Sequence, residues 1–119
     1  MVAGAHVLVD GNGVMAQTRF PHRFLDALQK VAGARDLSVE LVFDSSKVEP
    51  SPELATRDNV QVRFAQGVDV SDVITRLLDT IPANTPTVVA TDDGRLRSEA
   101  RKLQADVVDM SQMTGVVSR

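Results

Sequence analysis

Six aspartates, Asp10, Asp44, Asp69, Asp72, Asp92 and Asp93, fall at or just after the ends of short apolar runs. Carboxylates gathered in one place repel one another, so a fold keeps them together only with a cation or a shared proton. Hard oxygen donors suit Mg²⁺ or Mn²⁺, which commonly take one or two carboxylates plus waters and substrate phosphates. Such an ion lowers the pKa of a bound water and offsets charge building on phosphorus. Asn12, two residues past Asp10, adds a neutral amide able to orient a water or a phosphate oxygen. Each acid alone has a plainer use: Asp69 and Asp72 as helix caps, Asp10 and Asp92 as turn formers, Asp44 as the first residue of a loop. Their joint placement carries the signal.

The elements that must position these acids are legible in the apolar pattern. Five short runs read as strands: His6–Asp10, Val39–Asp44, Val60–Phe64, Thr87–Thr91 and Asp106–Asp109. The first, second and fourth are nearly continuous, as expected of strands covered on both faces. Val60, Val62 and Phe64 alternate with Gln61 and Arg63, which suits a half-exposed edge strand. Phe24, Leu28 and Val31 form a helical stripe after Pro21, with Gly33 as its expected stop. Val73, Ile74, Leu77, Leu78 and Ile81 form a second stripe, capped by Asp69 or Ser71 and closed by Pro82. Leu96, Ala100 and Leu103 form a third. Strands alternating with helices imply a parallel sheet with right-handed crossovers. Such a sheet gathers the carboxyl ends of its strands on one edge, where ligands bind. Residues 45–59 lack a helical period and read as a long loop of the kind that forms lids, with one helical turn at Leu54–Ala55. Residues 110–119 are weakly patterned and expected to fray.

Composition sets limits on function. The chain has 119 residues, which implies a single domain over 1–119 with a real core. It lacks cysteine, which excludes disulfides, thiolate metal sites and a cysteine nucleophile. No apolar run approaches the roughly 20 residues that span a bilayer. The N-terminal segment lacks the basic region and apolar stretch of a signal peptide, so a cytoplasmic location is expected and no membrane partner. The net charge of −3 becomes +3 once the six run-end acids are set aside. An acidic centre within a mildly basic surface is compatible with a nucleic-acid partner. Arg95, Arg97, Arg101 and Lys102 share one segment, and Arg19, His22 and Arg23 another. They form either a solvated face or a rim that tracks phosphates. With no Trp or Tyr and four Phe, such a grip is expected to rest on phosphates and metal more than on base stacking.

The segments VLVDGNGVM, LVFD, VQVRFAQG, SDVI and VVATDDGRL, followed by ARKLQADVV, resemble in order and spacing the NYN domain family of PIN-like ribonucleases, the bacterial YacP-like group above all. The resemblance spans about residues 6–109. It implies a PIN-like α/β three-layer sandwich with a central five-stranded parallel sheet of order 3-2-1-4-5. It also implies a divalent-metal-dependent ribonuclease using Mg²⁺ or Mn²⁺, with RNA as partner. By position, Asp10 and Asp93 are the first expected metal ligands, with Asp44 and Asp72 as further ones. Asp10, Asp93, Asp92, Asp72 and Asn12 form the expected catalytic group, and Asn12, Arg95 and Arg97 the substrate contacts. Two positions depart from the family pattern: Gly13 stands where an Asn is usual, and Ser71 where an Asp is usual, the acid being displaced to Asp72. They give a second reading, a catalytically degenerate module that binds RNA or protein. A third comes from Gly11-x-Gly13-x-x-Ala16 with Asp44 ending the next strand, the pattern of a dinucleotide site. Pro21 interrupts the helix which that reading needs, and the acids after the fourth strand have no role in it. A homodimer is compatible with the sequence.

Overall fold

A computed structural model describes residues 2–117. Five strands, β1 (His6–Asp10), β2 (Ser38–Asp44), β3 (Val60–Ala65), β4 (Thr87–Ala90) and β5 (Asp106–Val108), form one parallel sheet in the order β3-β2-β1-β4-β5. The helices are α1 (Gly11–Gln17), α2 (Pro21–Arg35), α3 (Val70–Thr80), α4 (Gly94–Lys102) and α5 (Met110–Val117). A 3₁₀ turn spans Pro52–Leu54.

The alternation of strand side chains divides the core in two. Val7, Val9, Leu41, Phe43 and Ala90 face a cluster with Leu25, Leu28, Met110 and Met113. Leu8, Val42 and Val89 face the other way, against Ile74, Leu78, Leu96 and Ala100. The sheet is therefore the middle of three layers, between α1, α2 and α5 on one side and α3 and α4 on the other. As expected of strands covered on both faces, β1 is buried from Val7 onward.

Four local expectations are revised. Gly33 lies inside α2, which runs on to Arg35 because Ala32 is buried and Asp36, at φ 54°, takes the left-handed closing position instead. Residues 110–117 do not fray: Met110, Met113 and Val117 bury their side chains and hold α5 on the core, while residues 118–119 lie outside the described residues. A helix does begin in the turn after β1, the short α1, ending at Thr18 before Pro21 opens α2. Residues 45–59 are pinned rather than lid-like. Leu54 is buried, Arg57 pairs with Asp26 of α2, and the Thr56 hydroxyl meets both the N–H and the carbonyl of Val62 on β3. A backbone bridge between Arg57 and Val60 completes the cover of that outer strand.

Candidate active site

At the carboxyl edge, Asp10 closes β1 and caps α1, its Oδ1 accepting the Asn12 N–H at 3.0 Å. Its Oδ2 accepts the Thr91 hydroxyl at 2.8 Å. The same Thr91 oxygen accepts the backbone N–H of Asp93 at 3.0 Å. One hydroxyl thus ties the end of β1 to the turn after β4. Asp93 caps α4 through Oδ1 and the Leu96 N–H, and its Oδ2 accepts the Ser71 hydroxyl of α3 at 3.4 Å. Arg97 donates to the Thr91 carbonyl at 2.9 Å.

Asp10 is only 5% exposed, and Thr91 is fully buried. Burial pushes the Asp10 carboxyl above the usual carboxylate range, and the charge of Asp93 adds to this; the Thr91 hydroxyl and the Asn12 N–H oppose it. Asp44 is the opposite case. It is solvated and lies below the usual range, held there by the Ser46 hydroxyl at 2.6 Å, the Ser46 N–H at 2.9 Å and the charge of Lys47.

The residues gather around a concavity of about 260 Å³, whose lining includes Asn12, Asp44, Asp72, Asp93, Arg95 and Lys47. Asp69 borders the same space. A neighbouring hollow of about 410 Å³ extends past Asp44, Asp69 and Asp72. The edge thus holds five of the six aspartates picked from sequence: Asp44, Asp69, Asp72 and Asp93 line the concavity, and Asp10 is buried and lines neither hollow. The exception is Asp92, whose Oδ1 accepts the Met110 N–H at 2.9 Å and so faces the start of α5. Among the described residues, no three Asp, Glu, His or Cys side chains converge tightly enough to hold an ion. The four-carboxylate set expected from Asp10, Asp44, Asp72 and Asp93 is therefore not assembled. Asp44 is drawn into its own turn with Ser46, and Asp72 sits one position along α3 from the serine that faces Asp93. Asp69 stands at the start of α3 but makes no side-chain cap.

Of the two arginines expected on the substrate, Arg95 lines the concavity, whereas Arg97 is committed to the Thr91 carbonyl. Thr91 and Lys47 were not singled out from sequence. Thr91 is signalled only by its place at the strand end beside two acids, and Lys47 by nothing local.

The dinucleotide reading does not fit. A side-chain carbon at Gly11 would lie 2.3 Å from the Val42 carbonyl oxygen, and one at Gly13 2.4 Å from Met110 Cγ. Both glycines are required by packing, and the Asp10 carboxylate already occupies the start of α1 where a pyrophosphate would sit. The same crowding explains why residue 13 has no room for an asparagine.

No protein-family model and no curated protein sequence matches the chain. Among solved structures, it is similar to Rae1 (YacP) from Bacillus subtilis, crystallised as the W164L mutant, with a TM-score of 0.73 over 96% of this chain and 75% of that one. The chain has a YacP-like fold. Identity to that protein is 18%, so the likeness is one of architecture, and it agrees with the strand order observed here. Among the described residues, no helix is long and apolar enough to cross a membrane.

Proposed function

We propose that the protein is a divalent-metal-dependent ribonuclease whose centre is Asp10 and Asp93, spaced by Thr91. The observation that carries this reading is the buried Asp10 carboxylate, held by the Thr91 hydroxyl that also accepts the Asp93 N–H, and near enough to the Asp93 charge to feel it. Each carboxylate caps a helix, but two so close repel, a cost that a bound cation would offset. Two carboxylates with waters and a substrate phosphate match the needs of Mg²⁺ or Mn²⁺. The bound ion would activate a water and stabilise charge on phosphorus. The chain's own residues do the rest. Thr91 fixes the Asp10 carboxylate, and Arg97 fixes Thr91. Asn12 offers its amide to a water or phosphate oxygen. Arg95 and Lys47 set positive charge against the phosphate backbone. Asp72 and Asp44 hold further charge at the rim, from where they would reach a bound ion only through water.

A second reading has its own support. Ser71 faces Asp93 where the resembled family carries an acid, and among the described residues no third ligand joins the pair. On this reading the edge binds RNA without cutting it. Titration with Mg²⁺ and Mn²⁺, followed by cleavage of single-stranded RNA, separates the two. Cleavage that needs metal and is lost in Asp10→Asn and Asp93→Asn supports the nuclease. RNA binding without metal uptake or cleavage at millimolar metal supports the silent module. Cleavage unchanged by both substitutions removes the site assignment.

A further inference from the structure

Phe20 is 48% exposed, unlike the other phenylalanines: Phe43 is fully buried and stacked on Phe64, and Phe24 and Phe64 are half-buried. Its backbone N–H is held by the Thr18 hydroxyl at 3.0 Å, which fixes the turn between α1 and α2. The Arg23 guanidinium carbon lies 4.6 Å from the ring centroid, and the His22 ring meets it edge-on at 6.2 Å and 87°. Arg19 and Arg23 are both exposed, and among the described residues neither is within ion-pair distance of a carboxylate. Of the nearby acids, Glu53 reaches the His22 side of the cluster at 3.7 Å, and Asp26 is paired with Arg57. An apolar ring stiffened by an arginine, beside a second unpaired arginine, is the chemistry that stacks a base and holds its phosphates.

The fold puts this cluster on the right edge. The end of α2 is tied to the amino edge of the sheet by the Gly4 N–H, which donates to the Asp36 carbonyl at 2.8 Å. α2 runs back to that amino edge, and at about 1.5 Å per residue its 15 residues span roughly 22 Å, so its start lies towards the carboxyl edge. α1 then leads from Asp10 to Thr18, a path of roughly 12 Å by the same rise.

We infer that Phe20, with Arg19 and Arg23, is a stacking platform for one base of a single-stranded RNA whose backbone continues along α1 to the Asp10–Asp93 centre. This rests on the reading of that centre as an RNA site. It also changes what composition suggests, since one exposed ring at the correct place supplies a stacking contact that a count of aromatics hides.

The absence of Trp and Tyr makes the test direct, because Phe20→Trp introduces a lone fluorophore. The probes are a uridine oligomer of about 12 nucleotides, a length in the range of single-strand sites, and the abasic strand of equal length, both with Ca²⁺ in place of Mg²⁺. The expected result is quenching of the new Trp by the uridine strand and not by the abasic one. Phe20→Ala is expected to bind the uridine strand about 5- to 100-fold more weakly by anisotropy. Unchanged affinity in Phe20→Ala together with an unquenched Trp would overturn the platform and leave the RNA site standing. No RNA binding by the unsubstituted protein removes both. A shift from dimer to monomer in Phe20→Ala, with RNA affinity intact, would make the patch a contact between two copies and overturn the proposal.

Discussion

The Thr91 hydroxyl donates to Asp10 Oδ2 at 2.8 Å, in a place where neither residue is more than 5% exposed. Thr91 stands 81 residues from Asp10 in sequence, so this bond also fixes β1 against the turn after β4. Removing it leaves a buried carboxylate short of a donor. Thr91→Val is expected to lower stability by about 1–3 kcal/mol, measured by urea unfolding. It is also expected to weaken metal affinity or cleavage by about 10- to 100-fold, as loss of a ligand's supporting bond commonly does. Thr91→Ser keeps the hydroxyl and should restore most of both.

Burial and the Asp93 charge raise the Asp10 pKa in the folded state. A carboxyl raised in this way binds its proton more tightly folded than unfolded. Its contribution to stability is therefore full below the ordinary value of about 3.9 and is lost as pH rises through the folded pKa. At neutral pH the ionised Asp10 is a liability to the fold. Asp10→Asn is expected to be more stable than the parent at pH 7, with the gap closing towards pH 3. Thermal melts across that range, without metal, check it; a gap that is constant or widens towards acid contradicts the assignment.

Asp92 and Asp93 are adjacent and do different work. Asp93→Asn is expected to abolish cleavage with a modest change in stability. Asp92→Ala is expected to weaken the junction with α5 by about 0.5–1.5 kcal/mol, the net worth of one hydrogen bond, and to lower cleavage far less. Equal losses of cleavage at matched folded fraction would show that Asp92 also serves the centre.

Gly13 is held against Met110, and a methyl group there needs space that Met110 Cγ occupies. Gly13→Ala is expected to cost about 1–3 kcal/mol. In a Met110→Ala background the same change should cost little, so the two effects are not additive. Denaturant unfolding of the four proteins of this cycle measures the coupling.

Leu54 is the anchor of the 45–59 segment. Leu54→Ala is expected to cost about 2–5 kcal/mol and to expose Arg57 to trypsin, seen as faster cleavage at that site. A segment that behaves as a mobile lid would be cut quickly in the parent protein as well.

The sheet was readable because its strands carry their own signal. Val39–Asp44 and His6–Asp10 are apolar on both faces, and Val60, Val62 and Phe64 alternate, so central and edge strands announce themselves. Their order is what the family resemblance implies, and the observed strand order agrees with it. The α1 and α5 helices were harder. α1 has two glycines in seven residues, and these exist to let it approach Val42 and Met110, a requirement set by distant parts of the chain. α5 is short, and only its contacts with the core explain it. In the candidate site, Asp10 and Asp93 stand where strand ends put them. The divergence of Asp92 is set by Met110, 18 residues on, while the Asp44 turn with Ser46 and the use of Arg97 on Thr91 are short-range choices between competing partners. Only the first has no local signal; an aspartate that bonds the chain two residues on is ordinary turn chemistry.

The Thr56 hydroxyl meets both the N–H and the carbonyl of Val62, while Arg57 does the same for Val60 through its backbone. The outward groups of the outermost strand at those two positions are thus already spent within the molecule. A second chain finds no free ladder there on which to add a strand, so aggregation by edge-to-edge pairing is closed on that side. Thr56→Ala would free both groups of Val62, leaving Arg57 alone to guard that edge.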